Sequence, residues 1–439
     1  MTAHASTLIF SAESADLQPV QLAWLAAAVF VVSAGYGALM PMLLGWMTPM
    51  LPGATAAEVA RHVGFLSGVY SAGVLVGAPL WGVVADRAGP GRVLIIGLVG
   101  YVASLLLMLV PAMAGLWGIY ALRGTTGFFV AAVVPVVSAL VADYTPEEQR
   151  ARRFAWLGAM SLLGFLFGPG LNAVADWVGS WAGEGALPAV RSAQVVIVLS
   201  ALLGAVMMLG LAATLPASRV PEAAAHPVTS TEGRTTVLWC LSGAVMFVLA
   251  GFELGIVLQE QQHASLSSRQ VAMMFAACSL VMLGVNALLF FTALMEKTSA
   301  RKLLGAGLIL AMAGLAVLAQ HQSEAGMYLG VSLTSAGTGL VLPVIAYLAA
   351  GATRHKLGVT MGGLAAAAGF GQTLGWSVGG WLFGAFAQRS FSWLTLPLVA
   401  MLILVVARRG WWSAIPAEFT RRPTRYADNG RQGDLDGDQ

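Results

Sequence analysis

Long apolar runs alternate with short polar segments along all 439 residues of the chain. Twelve runs approach or exceed the roughly 20 residues with which an α-helix crosses the hydrocarbon core of a membrane. Their limits are 21–45, 63–84, 93–112, 115–141, 154–177, 190–214, 237–259, 270–294, 302–321, 325–350, 357–387 and 391–408. The pattern therefore predicts an all-α integral membrane protein with twelve transmembrane helices.

The composition excludes a soluble enzyme of this length. Hydrophobic residues make up 58% of the chain and charged residues only 10%, whereas soluble domains carry about 25% charged residues. A net charge of +3 is too small and too dispersed for a nucleic-acid surface. The two cysteines, Cys240 and Cys278, lie in apolar runs, so we expect helix packing rather than a disulfide or a metal site, and no cofactor. Residues 1–20 hold no Lys or Arg, unlike a cleaved secretory signal.

The distribution of basic residues predicts the orientation in the membrane. With both termini cytoplasmic, 18 Lys and Arg residues lie on the cytoplasmic side and one, Arg123, lies within a span. Only four, Arg61, Arg191, Arg269 and Arg389, lie outside. Because positive residues are retained on the cytoplasmic side, we expect an N-in/C-in, multi-pass protein of a bacterial-type inner (plasma) membrane.

A polar, proline-containing segment at 215–236 divides the spans six and six. We therefore predict a cytoplasmic tail (1–20), a first six-helix bundle (21–214), a cytoplasmic linker (215–236), a second bundle (237–408) and a disordered cytoplasmic tail (409–439). Three weak matches between the halves suggest a parallel repeat. They pair Phe30-Val31-Val32 with Phe247-Val248-Leu249, Pro135 with Pro343, and Gly164-Phe165 with Gly369-Phe370.

The loop after span 2 reads Gly82-Val-Val-Ala-Asp86-Arg87-Ala-Gly89-Pro-Gly91-Arg92. It resembles the signature loop G-x-x-x-D-R-x-G-x-x-R of the major facilitator superfamily, although its last basic residue lies one or two positions later than in the commonest version. A turn this short between two spans requires glycine.

The resemblance implies that this loop latches the two bundles at the cytoplasmic face. Asp86 would meet the positive N-terminal end of span 11 near Leu357, and Arg87 would pair with Asp143. The alternative is that Arg87 and Arg92 only anchor the topology.

Two further motifs support the same family. Arg123-Gly-Thr-Thr-Gly127 in span 4 resembles the signature R-x-x-Q-G, with Thr126 in place of Gln. Gly164 and Gly168-Pro169-Gly170 in span 5 resemble the antiporter signature G-x-x-x-G-P-x-x-G-G, with Asn172-Ala173 replacing the final glycines. The resemblance implies the major facilitator fold and the twelve-span drug/proton antiporter branch. The alternative for the glycines is ordinary small-residue packing.

One acidic and one basic residue lie in the membrane interior, away from the span ends: Glu253 in span 7 and Arg123 in span 4. The superfamily's layout implies that they face each other across a central cavity. Burial disfavours a charged carboxylate and a nearby arginine favours it. We therefore predict that Glu253 is the proton-coupling carboxylate and that Arg123 is its switchable partner or a substrate contact. The alternatives are a static ion pair that closes the outer gate, or direct binding of a cationic substrate by Glu253.

Few other polar residues lie in the spans, so the cavity suits a bulky amphipathic solute. We predict Tyr36, Asn286 and Gln372 as further substrate contacts, although each is equally suited to bonding between helices. The expected function is proton-coupled export of a small solute, either a drug or an endogenous metabolite such as a siderophore, by a monomer that is not an enzyme. The expected partners are that solute, protons and the lipid bilayer. The alternatives are an uptake symporter for an organic anion bound at Arg123, and a non-transporting membrane sensor.

Overall fold

The structure is a computed structural model that describes residues 17–407 apart from 114, 145–146, 182–188, 216–232, 263–265, 293, 295–297, 322 and 353–356. All regular secondary structure in these ranges is helical. The predicted tail 409–439 lies outside the described residues, as do most of the tail 1–20 and most of the linker 215–236. The second half begins at Gly233, inside the predicted linker.

The helices of the first half are α1 Pro19–Leu39, α2 Leu43–Met47, α3 Ala56–Ala88, α4 Pro90–Leu107, α5 Leu116–Val130, α6 Val134–Asp143, α7 Glu147–Trp181 and α8 Ala189–Thr214. Those of the second half are α9 Gly233–Gln262, α10 Ser268–Phe291, α11 Ala300–Gln320, α12 Glu324–Ala352, α13 Leu357–Phe386, α14 Ser390–Trp393 and α15 Thr395–Ala407. Gly89, the residue between α3 and α4, has a φ of +89°, which explains why the short loop needs a glycine there.

Eleven helical runs in the described ranges are long and apolar enough to cross a membrane, one fewer than the sequence predicted. The eleventh, Gly362–Ala407, is 46 residues long and contains α13, α14 and α15. Ala387, with a φ of +50°, interrupts it where the sequence separates spans 357–387 and 391–408. The difference in number arises because these two predicted spans join in one apolar run.

The predicted span 115–141 is interrupted between α5 and α6. Ala132 N–H donates to Phe129 O at 3.0 Å, one residue short of the α-helical pattern, so Phe128 O loses its usual helical partner. Trp81 Nε1 of α3 donates to that carbonyl at 2.8 Å. An unpaired carbonyl at membrane depth is costly, so this side chain stabilises the interruption.

Equivalent helix pairs pack backbone to backbone in the two halves. A Cβ at Gly164 of α7 would collide with the Phe30 carbonyl of α1, and one at Gly375 of α13 would collide with the Phe247 carbonyl of α9. If Phe30 corresponds to Phe247, the structural counterpart of Gly164 is therefore Gly375. The sequence match of Gly164 with Gly369 was wrong by six residues, because Gly recurs at several positions of α13.

The two halves touch at one end of α3 and α13 and separate at the other. We call the contact the α3–α13 seam, and it comprises Gly64, Gly68, Ser377 and Gly380. A Cβ at Gly64 would lie 2.7 Å from Gly380 Cα. Gly82 and Gly362 each lie 18 residues, about five helical turns, from Gly64 and Gly380, so they lie on the same faces. Neither would have a heavy atom within 4 Å of an added Cβ, so the halves splay at the end that carries the loop 82–92.

Candidate functional site

Arg123 is buried in α5, with 1% of its surface exposed. Its Cζ lies 4.6 Å from the centre of the Tyr70 ring of α3, a cation–π distance. The helices cross in direct contact here, because a Cβ at Gly127 would collide with the Tyr70 backbone. The electrostatic neighbours of the guanidinium are Tyr70, Tyr36 and Tyr101. An aromatic cradle therefore holds the arginine inside the protein.

One edge of the Arg123 guanidinium is free. Nε and Nη2 are buried and have no hydrogen-bond partner among the described residues. Their two N–H groups point the same way and form the edge that binds a carboxylate in a bidentate manner. A buried charge without a counterion is strongly destabilising, and a desolvated cation–π contact offsets only about 2 kcal/mol. The geometry suits binding of an anionic group at this edge.

Glu253 lies in the part of α9 where every residue from Val248 to Gln259 is buried, and 8% of its own surface remains exposed. Cys278 of α10 and Tyr36 of α1 lie within its electrostatic reach. The Cys278 thiol also contacts the Ser335 side chain of α12. Cys278 is buried, as the predicted helix packing requires, whereas Cys240 is exposed; both are free thiols. Glu253 therefore lies within electrostatic range of groups from both halves of the protein.

Glu253 differs from the other acidic residues more clearly in its burial than in its position along the chain. The sequence placed every other acidic residue outside the spans, but Glu58, Asp176 and Glu324 lie within membrane-crossing runs. That prediction was wrong because the helices extend past the apolar segments. Glu58 and Glu324 are exposed at helix starts, and the Asp176 side chain lies outside the described part. Glu253 is therefore the buried acid among the side chains that the structure describes.

Glu253 and Arg123 share Tyr36 as an electrostatic neighbour and are not neighbours of each other. Glu253 is not among the electrostatic neighbours of Arg123, whereas Tyr36 lies within reach of both. The Tyr36 ring lies 5.2 Å from the Tyr70 ring, and its hydroxyl is buried without a partner in the described ranges. A static ion pair between Glu253 and Arg123, one of the alternatives from sequence, does not occur in this conformation of the described residues.

The other predicted contacts are less distinctive. Asn286 Nδ2 donates to Met282 O of its own helix at 2.8 Å, so its amide nitrogen is engaged within α10. Gln372 is half-buried in α13. Sequence reasoning passed over Gln259, whose side-chain amide is buried with neither atom bonded to the described part of the protein, and the buried indole N–H of Trp376, which likewise has no partner there. A polar residue in an apolar run was the available signal for Gln259.

The motif residues of span 5 pack α7 against α1. A Cβ at Gly168 would lie 2.7 Å from the backbone of Gly37 and 2.8 Å from Ala34 O. Pro169 lies within the continuous helix α7, and Gly170 faces open space. Gly164 and Gly168 therefore allow close packing of α7 against α1, and Pro169 does not end the helix; the antiporter role of the motif stays a prediction.

The proposed latch lies mostly outside the described side chains. Arg87 and Arg92 are exposed at the loop between α3 and α4. The side chains of Asp86 and Asp143 are not described, nor are residues 353–356, which precede Leu357. The contacts of Asp86 with span 11 and of Arg87 with Asp143 stay predictions.

Comparison with known proteins identifies the family and several relatives. The chain is 33% identical to the class B tetracycline resistance protein of Escherichia coli over 153 residues, which cover 34% of each protein. It is 26% identical to the quinolone resistance protein NorA of Staphylococcus aureus over 144 residues, 33% of this chain and 35% of NorA. These matches span about a third of each relative's length. They confirm the resemblance to the drug/proton antiporter branch.

Solved structures share the fold over nearly the whole chain. The human organic anion transporter MFSD10 (TETRAN) superposes with a TM-score of 0.66 at 17% identity, covering 89% of this chain and 100% of that one. A bacterial homologue of the human drug peptide transporters PepT1 and PepT2 gives a TM-score of 0.65 at 14% identity, with coverage of 89% and 98%. The family model of the Major Facilitator Superfamily matches residues 25–290 and 255–432. The chain therefore belongs to the Major Facilitator Superfamily.

Proposed function

We propose that this protein exports a small amphipathic solute, a drug or an endogenous metabolite such as a siderophore, in exchange for protons. The resistance proteins that it resembles are named for tetracycline and quinolones, which are bulky and partly apolar. The observation that carries the proposal is the placement of Glu253 and Arg123. Each is buried, they belong to different halves, and they share the neighbour Tyr36.

The proposal includes twelve spans with both termini in the cytoplasm, in a bacterial inner membrane and as a monomer. Under this topology the loop 82–92 is cytoplasmic, and the α3–α13 seam is the closed outer gate. The conformation is then open to the cytoplasm. Alternating access would open the seam and close the loop end by rocking the six-helix bundles 21–214 and 237–408 about the central site.

Glu253 would carry the proton in this cycle. Because burial disfavours a charged carboxylate and a nearby arginine favours it, a change in the distance between Arg123 and Glu253 gives Glu253 a different proton affinity in each conformation. Glu253 would load a proton while the seam is open. With the loop end open, as here, it is not yet paired with Arg123, and the approach of the arginine would then release the proton at the loop end. Solute would bind after proton release and leave in the opposite direction. The free Nε–Nη2 edge of Arg123 is the group that would receive the carboxylate.

Transport in proteoliposomes tests the coupling role, with tetracycline and a quinolone as first probes. We expect Glu253→Gln to abolish accumulation driven by a pH gradient while exchange of labelled for unlabelled solute continues. We expect Arg123→Lys to reduce coupling as well, because a lysine keeps the charge but lacks the bidentate edge. Undiminished gradient-driven transport by Glu253→Gln would exclude the coupling role.

The unpaired edge of Arg123 also favours a second candidate, uptake of an organic anion together with protons. The structural neighbour MFSD10 is described as an organic anion transporter. Inside-out vesicles separate the two candidates, because their lumen corresponds to the outer side. An acidic lumen drives solute into the vesicles of an exporter that exchanges protons. A symporter requires the opposite gradient for the same movement.

A further inference from the structure

Tyr36 lies in the middle of a stack of rings that runs from the second half of the protein to Arg123. Its ring is 5.2 Å from Tyr70 and 5.6 Å from Phe165, measured between ring centres. Phe165 in turn lies 5.9 Å from Phe275 of α10. At the other end of the stack, Tyr70 carries the Arg123 guanidinium. A shift of Tyr36 is therefore transmitted by contact toward the arginine.

In this conformation the Tyr36 hydroxyl forms no hydrogen bond with a described residue, so a phenylalanine would make the same contacts. The hydroxyl is also buried. Leaving a buried hydroxyl unbonded is costly, so the group fits a partner that is engaged in another state. The ionisable groups whose charges act on it are Glu253 from α9, Tyr70 from α3 and Arg123 from α5. Of these, a deprotonated Glu253 is the strongest acceptor.

We propose that Tyr36 is a positioning residue whose hydroxyl donates a hydrogen bond to the deprotonated carboxylate of Glu253. This inference deepens the proposed function and rests on Glu253 as the coupling carboxylate. Loss of the proton from Glu253 turns the Tyr36 hydroxyl toward α9. The ring moves with its hydroxyl, and Tyr70 and Arg123 follow because they are stacked against it. Tyr36 thereby couples the ionisation of Glu253 in the second half to the position of Arg123 in the first half. No permanent ion pair between the two residues is needed.

The test measures the conformation of the protein directly, by cysteine labelling, and needs no transported solute. A cysteine at Gly362, which faces open space at the loop end, reports the open loop end by its rate of maleimide labelling in a background without the two native cysteines. The rate is measured against pH in the full chain in proteoliposomes, for the parent, Glu253→Gln, Tyr36→Phe and the double variant. Tyr347→Phe is the matched control, because it removes a hydroxyl from a partly exposed tyrosine of α12.

We expect a pH-dependent labelling rate in the parent and a pH-independent rate in Glu253→Gln. Tyr36→Phe should move the midpoint by about 1–2 units toward higher pH, since the charged carboxylate loses a donor. It should have no further effect in the Glu253→Gln background, and Tyr347→Phe should match the parent. A parent-like midpoint in Tyr36→Phe overturns the role of Tyr36 alone. A pH dependence that survives Glu253→Gln overturns the proposed coupling residue instead.

Discussion

We expect close packing at the α3–α13 seam to control which end of the protein is open. A methyl group added by Gly64→Ala would lie 2.7 Å from both Gly380 Cα and Trp376 O, whereas ordinary contacts of a Cβ begin at 3.4 Å. Both obstacles are backbone atoms, so no flexible side chain can move aside. The two helices must separate by about 0.7 Å, the difference between these distances. This clash exists only in the conformation in which the seam is closed.

The expected size of the effect follows from this clash. Extra atoms in a close-packed contact cost about 1–3 kcal/mol. The open-seam conformation avoids that cost because the helices are apart. The closed seam should therefore lose about 5–150-fold in population relative to the open seam. Gly380→Ala should act in the same way, because its Cβ would lie 2.9 Å from Gly64 Cα.

The labelling rate of a cysteine at Gly362 measures this shift. Gly64→Ala should lower the rate in inside-out vesicles, because the loop end closes as the seam opens and the rate follows the fraction of molecules whose loop end is open. Gly170→Ala is the control, since an added Cβ there would meet no heavy atom within 4 Å and Gly170 lies outside both the seam and the loop 82–92. If Gly64→Ala and Gly380→Ala both leave the labelling rate at the control value, the seam does not control the conformation and the reasoning fails.

Two further predictions concern stability. Trp81→Phe keeps an aromatic ring but removes the indole N–H from Phe128 O, and leaving that buried carbonyl unpaired should cost about 1–3 kcal/mol. The midpoint of thermal unfolding in detergent should fall accordingly, and an unchanged midpoint would show that another group satisfies the carbonyl. Gly168→Ala should lower the same midpoint by forcing α7 away from α1, whereas Gly170→Ala, two residues away and facing open space, should leave it unchanged. Equal effects of the two alanines would contradict the packing role of the motif.

The sequence by itself determined the helical character and the family. Backbone groups in lipid must bond within their own segment, so an apolar run of spanning length has to become a helix. The motifs around Asp86, Arg123 and Gly168 identify the superfamily. A charge in an apolar segment is visible without any contact, which is why Arg123 and Glu253 could be singled out. Span ends were less accurate, as Glu58 and Glu324 show, because helices continue into polar sequence.

Only the tertiary structure decided how these elements meet. The cradle of tyrosines around Arg123, the position of Tyr36 beside Glu253 and the seam that is closed at Gly64 but open at Gly82 all depend on the register between helices far apart in sequence. That register is set by many small packing contacts, since lipid provides little hydrophobic force to draw one helix face toward another. The hydropathy of the sequence indicates which residues are removed from water, but it does not indicate which of them contact one another.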